Sequence, residues 1–171
     1  VEDVERYRAE IVSAAPDFEP LMTFKILPNT EPEEVKRLKE AGVKAGKFYP
    51  AGATTNSEDG ITVENWEVMK PVLKVMEEVG MILSIHGEVP DSFILDREKD
   101  FLPILIEMNK TFPKLKIILE HISSKEGIEC IKSLPENVKA TITLHHLIST
   151  IEDVVNNSNN KCMPTPKLIE D

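Results

Sequence analysis

Cysteine is scarce in this 171-residue chain: there are two, Cys130 and Cys162, and they share no motif spacing. That speaks against a disulfide framework and makes a cytoplasmic setting the expectation. Positive charge is short as well, with 20 Lys and Arg against 30 Asp and Glu and a net charge of -10. Nucleic acid needs clustered Lys and Arg, and so does an anionic membrane surface, so neither is an expected partner. No apolar run approaches the ~20 residues of a membrane helix. The first residues, VEDVERYRAE, are charged and amphipathic, unlike a secretory signal. There is no internal repeat, no low-complexity tract and no evident domain boundary, so residues 1–171 read as one domain. What remains is an ordinary soluble composition, 41% hydrophobic and 29% charged, enough for one core. Histidine is limited to four residues, so where they fall matters.

The hydrophobic pattern alternates between two periods. Residues 3–14 read as an amphipathic helix with Val4, Tyr7, Ile11 and Val12 on one face, ended by Pro16. PLMTFKIL (20–27) reads as a strand. Thr30 is the expected cap of a helix with Pro32 in its first turn and Gly42 after its last. VKAGKFY (43–49) is the next strand, followed by a loop over 50–60. A helix is expected over 65–79, with Gly80 at its C′ position. MILSIH (81–86) is a strand, 97–111 a helix with Pro103 expected in or near its first turn, and LKIILEH (115–121) a strand. Ser123 and Glu126 have capping-box spacing for a helix to Leu134, and VKATITL (138–144) is the last strand. The tail from Asn156 is polar and loop-like.

Five strand–helix units with continuous apolar strands predict a parallel α/β sheet covered on both faces. Two architectures fit: an open doubly wound sheet or a (β/α)8 barrel. A barrel takes roughly 250 residues, so five units make about five eighths of one.

Chemistry-bearing residues collect after the strands, where parallel α/β folds place their sites. Lys47 closes one strand. His86 ends the next, with Glu88 two residues on. Glu120 and His121 end the third, and the last runs into His145 and His146. A single histidine after a strand is ordinarily a hydrogen-bonding loop residue. All four at equivalent positions, none on a helix, points instead to a shared site, and imidazole is the commonest metal ligand. Lys47 sits in an apolar stretch, where burial lowers a lysine pKa. A neutral amine reacts with carbon dioxide to give a carbamate, a carboxylate-like group able to bridge two metal ions. Thr54 and Thr55 lie in a loop of small residues that reads as a mobile lid over a site.

KFYPAGATTNS, IHGEV, LEHISSKE and ATITLHHL, in this order, resemble the bacterial-type (class II) dihydroorotases of the amidohydrolase superfamily. The similarity runs from VEDVERYRAEI to KCMPTPK. It implies a (β/α)8 TIM barrel of the metallo-dependent hydrolase type, two zinc ions bridged by a carboxylated lysine, and interconversion of L-dihydroorotate and N-carbamoyl-L-aspartate in pyrimidine synthesis. By that resemblance Lys47 is the bridging lysine, and His86 and His121 complete the more exposed zinc. Thr54 and Thr55 close over a small-molecule substrate, and Met163 holds the pyrimidine ring through its main chain. His146 matches a family histidine of undefined role, and His145 has no counterpart. A homodimer is the expected assembly.

Two departures qualify the resemblance. The family's first strand carries a His-x-His pair and an arginine, and a later strand carries the aspartate that acts as general base. This sequence has no His-x-His, and neither the arginine, the aspartate nor the family's substrate-gripping asparagine has a match. The resemblance therefore implies an internal portion of the barrel, strands three to seven, incomplete at both ends, with no catalytic acid or base identified. Rival readings are another cyclic-amide hydrolase of hydantoinase or allantoinase type, and a non-catalytic scaffold.

Overall fold

The computed structural model describes residues 1–156. Its centre is a five-stranded sheet: β1 (Thr23–Lys25), β2 (Ala45–Phe48), β3 (Ile82–Ile85), β4 (Lys116–Leu119) and β5 (Val138–Ala140). Every neighbouring pair is parallel and the spatial order is β1-β2-β3-β4-β5. Parallel crossovers are right-handed. With strands in sequential order, that handedness puts every crossover helix on the same face. A doubly wound sheet needs a reversal of order, so that alternative is excluded and the winding is that of a barrel wall.

The helices are α1 (Glu2–Ala14), α2 (Pro32–Glu40), α3 (Lys70–Glu78), α4 (Arg97–Thr111), α5 (Lys125–Ser133) and the short α6 (Leu144–Ile148) and α7 (Ile151–Asn156). None of those described is long and apolar enough to cross a membrane. Several boundaries differ from expectation for local reasons. The helix expected over 65–79 is a 3₁₀ segment, Val63–Met69, that passes into α3 where Pro71, lacking an N–H, occupies the first turn. Glu31 rather than Thr30 is the N-cap of α2, while the Thr30 hydroxyl accepts from the Leu27 N–H at 2.8 Å and closes the preceding turn. Pro103 lies well inside α4, on its exposed side. Ser124, not Ser123, caps α5 by accepting from the Gly127 N–H at 3.1 Å. On α1, Val4 and Ile11 pack against the core, whereas Tyr7 and Val12 stay exposed.

Strand pleating divides the sheet. Phe48, Leu83, Ile85, Ile117 and Leu119 are at most 1% exposed and form the dry layer under the helices. Ser84 pairs with Lys47 on one side and Ile118 on the other, so these three share the opposite face. Lys47 and Ile118 are only half-buried. The helix side is fully covered, and the opposite face holds buried Ala45 and Ser84 beside half-buried Lys47 and Ile118.

Candidate metal centre at the strand ends

The inner face of the sheet leads to a cavity of about 260 Å³ at the carboxyl ends of the strands. His86, His121 and His146 line it, with Glu88, Glu98 and Glu120. No arginine or lysine lines it. Three carboxylates and three imidazoles suit a cationic occupant, since buried negative charge needs a compensating partner.

His86 follows β3 and its N–H donates to the Phe48 carbonyl at 3.0 Å, which fixes its backbone against β2. Its Nδ1 lies 3.1 Å from His121 Nε2, and its Nε2 lies 3.1 Å from a Glu88 carboxylate oxygen. The two rings meet edge to face with centroids 4.7 Å apart. A carboxylate on one ring nitrogen fixes the tautomer that leaves the other nitrogen free to ligate.

His121 reaches this position by breaking a rule. Pleating sends successive side chains to opposite faces, so Glu120 and His121 should diverge. His121 instead has φ 45°. That left-handed conformation interrupts the alternation, and both residues line the cavity. The His121 N–H donates to Thr141 Oγ1 at 2.8 Å, and the Thr141 hydroxyl donates to Glu120 at 2.6 Å. Ser84 Oγ donates to the other Glu120 oxygen at 2.8 Å.

Burial pushes the Lys47 ammonium down to about 8, with partial opposition from the Glu120 charge. Roughly a tenth of such an amine is neutral at pH 7. Its Nζ lies 5.1 Å from the centre of the Tyr49 ring, whose own centre is 6.0 Å from that of His86. Burial, then the charges of His86 and Lys47, push His121 down to about 4. Burial alone would raise the Glu120 carboxyl, but the Thr141 and Ser84 hydroxyls and the Lys47 charge bring it below its ordinary value.

The His121 shift has a stability consequence in the metal-free chain. Between pH 6.5 and about 4 the unfolded chain binds a proton there that the folded chain refuses, so stability falls as pH falls through that window. The ring is partly solvated, so after screening the loss is about 1–2 kcal/mol. Thermal midpoints at pH 7 and 4.5, in chelator, should show a larger acid-induced drop for the parent than for His121→Asn, because asparagine tolerates the left-handed backbone without titrating. Equal drops would sink the assignment.

Of the residues singled out in the sequence, His86 and His121 are brought together, and Lys47, which does not line the cavity, lies near enough for its charge to act on His121. Thr54 lines the cavity; Thr55 is exposed and does not. The 50–60 loop is not a free lid. Ser57, 1% exposed, accepts from the Thr54 N–H, and Lys25 donates to the Asn56 carbonyl and pairs with Asp59. His145 and His146 sit in α6, because β5 stops at Ala140 before reaching them, so the expectation of four strand-end histidines with none on a helix is corrected. His146 lines the cavity and His145 does not. Met163 lies outside the described residues. Among the described residues no cluster of three or more His, Cys, Asp or Glu forms a metal site. Glu98, Ser84 and Thr141 carried no sequence signal.

A parallel barrel wall with histidines, carboxylates and a half-buried lysine near its carboxyl edge is an arrangement that suits a metal-dependent hydrolase. The family profile described as amidohydrolase matches residues 2–127, and the chain belongs to that family. A dihydroorotase of Shewanella denitrificans is 51% identical over 150 residues, 83% of this chain and 43% of that protein. A dihydroorotase crystal structure from Saccharomyces cerevisiae, in complex with 5-fluoroorotic acid, superposes with a TM-score of 0.93 at 34% identity, over 99% of this chain and 51% of that one. An L-hydantoinase from Arthrobacter aurescens superposes at 0.70 with 15% identity, over 86% of this chain and 38% of that one, a likeness of fold alone. The chain spans about half the length of the dihydroorotases it matches.

Proposed function

We propose that this chain is part of a dihydroorotase, which opens the cyclic amide of L-dihydroorotate with water to give N-carbamoyl-L-aspartate, reversibly. The observation that carries the site is the 3.1 Å separation of His86 Nδ1 and His121 Nε2. Zinc–nitrogen bonds of about 2.0–2.1 Å in a tetrahedron place ligand nitrogens about 3.3–3.4 Å apart. The pair therefore suits two ligands of one zinc, and Lys47, on the same face of the sheet, would supply the third as a carbamate, formed when its neutral amine adds carbon dioxide and releases a proton.

His86 and His121 would hold the metal, and carboxylated Lys47 would bridge it to a second ion whose other ligands match nothing in this sequence. Zinc, when bound, supplies Lewis-acid polarisation of the ring carbonyl and a nucleophile at neutral pH. Glu88 keeps the His86 ring turned, and Glu120 and Thr141 keep the β4–β5 edge in register. Thr54 lines the cavity and would meet the substrate there; by the family resemblance Thr55 and the main chain of Met163 would add contacts. Among the described residues none is assigned the proton-shuttling role.

The test is a chimera in which residues 1–156 replace the matching segment of the Shewanella denitrificans protein. It should open dihydroorotate in preference to hydantoin or allantoin. A preference for either of the latter would favour the rival hydrolase reading.

A further inference from the structure

We propose that Glu98 is a positioning residue: its buried carboxylate clamps Ser123 and Ser124, and through them holds His121 in the left-handed conformation that aims its ring at His86. The inference rests on the reading of His86 and His121 as metal ligands.

A left-handed backbone at a residue other than glycine costs on the order of 1–3 kcal/mol and persists only where the surroundings enforce it. The enforcement comes from two partners. Thr141 holds the peptides that flank His121, its hydroxyl accepting from the His121 N–H at 2.8 Å and its carbonyl from the Ile122 N–H at 2.9 Å. Beyond them, the chain is held by Glu98, which reaches in from the first turn of α4. One Glu98 oxygen accepts from the Ser123 N–H at 2.8 Å and the Ser123 hydroxyl at 3.0 Å. The other accepts from the Ser124 N–H at 3.0 Å and from the Ser124 hydroxyl. Glu98 is 5% exposed and lines the same cavity as His121.

Capping α5 does not require this carboxylate. Ser124 Oγ already accepts from the Gly127 N–H. What the carboxylate adds is a fixed place for the next two peptides, Ile122–Ser123 and Ser123–Ser124, which begin one residue after His121. The fit is tight, since a Cβ on Gly127 would come within 2.4 Å of Glu98 Oε1. A group this buried is tolerated only with its hydrogen bonds made, so the clamp has one geometry. Glu98→Gln keeps size and shape but turns an amide N–H₂ toward one of the serine N–H groups. One peptide is then repelled, and His121 loses half of its restraint on that side.

The test uses the chain with cobalt(II) in bicarbonate buffer, as wild type, Glu98→Gln, Ser123→Ala and His121→Ala. Cobalt affinity is read by chelator competition, the visible cobalt spectrum reports ligand geometry, and the His121 ring resonances are followed in metal-free protein. Supporting partners around metal ligands typically contribute 10–100-fold in affinity. Glu98→Gln should weaken cobalt by that factor, change the visible spectrum and shift the His121 ring resonances while the chain stays folded. Ser123→Ala, which keeps both peptide N–H donors, should do the same to a smaller degree, and it decides the matter if Glu98→Gln does not fold. Wild-type affinity and unmoved His121 resonances in the folded variants would overturn the clamp. If His121→Ala binds cobalt as wild type does, the metal reading fails instead, and the metal-free resonances still decide the clamp.

Discussion

Lys47→Ala in the chimera should abolish dihydroorotate ring opening. Lys47 lies on the same face of the sheet as the His86–His121 pair, and as a carbamate it would supply an anionic donor able to bridge two metals. Its depressed pKa, caused by burial, supplies the neutral amine that carbon dioxide attacks. Alanine removes that donor, and with it the bridge between two metals. The same logic predicts little or no turnover by the 171-residue chain alone, whose sequence offers no match for the family's His-x-His pair or aspartate base. Loss of an acid or base typically costs 10²–10⁴-fold, and loss of the second metal adds to it. A spectrophotometric ring-opening assay on the chain, the chimera and its Lys47→Ala variant checks all three. Near-normal turnover by the chain alone would mean that its own residues supply the base, with Glu88, Glu120 and His146 the first to examine. Substantial activity in the Lys47→Ala chimera would remove the bridging role.

Phe101→Ala should be the most damaging single core change. Phe101 is fully buried, and its ring lies 6.4 Å from that of Phe48, tilted by 42°. It also packs against the chain just after His86, since a Cβ on Gly87 would meet Phe101 Cδ1 at 3.1 Å. Phe-to-Ala truncation in such a site costs about 3–5 kcal/mol, from lost transfer energy and the cavity left behind. For a chain of this size that lowers the thermal midpoint by about 6–20 °C. Phe93→Ala is the control: Phe93 is 68% exposed, and its removal should change stability by less than about 0.5 kcal/mol. A loss under about 1 kcal/mol for Phe101→Ala, by thermal or urea unfolding, would show that the α4–sheet interface repacks.

The sequence says which candidate ligands lie near strand ends but little about what surrounds them. His86 and His121 stand out because apolar strand runs end on them, and Lys47 because it interrupts one near its end. The doubly wound sheet and the barrel wall could not be separated, because both consist of the same alternating units. Only the pairing order β1-β2-β3-β4-β5 separates them, and pairing is a long-range fact. The histidines of α6 were misplaced because ATITL has strand propensity, while β5 ends at Ala140 and Thr143 caps a short helix. Thr54 and Thr55 look equivalent side by side, yet only one lines the cavity, because loop conformation decides orientation.

The sequence by itself determined the alternation of strands and helices, the absence of a long apolar helix, and which side chains able to bind metal lie at strand ends, since local period and residue chemistry are sufficient for these. Only the tertiary structure decided that His121 turns back toward His86. Strand alternation predicts the opposite. The reversal depends on a strained backbone angle held by Thr141 from β5's end and by Glu98 from α4, residues 20 and 23 positions away in sequence. No local rule connects partners at such separations; packing does.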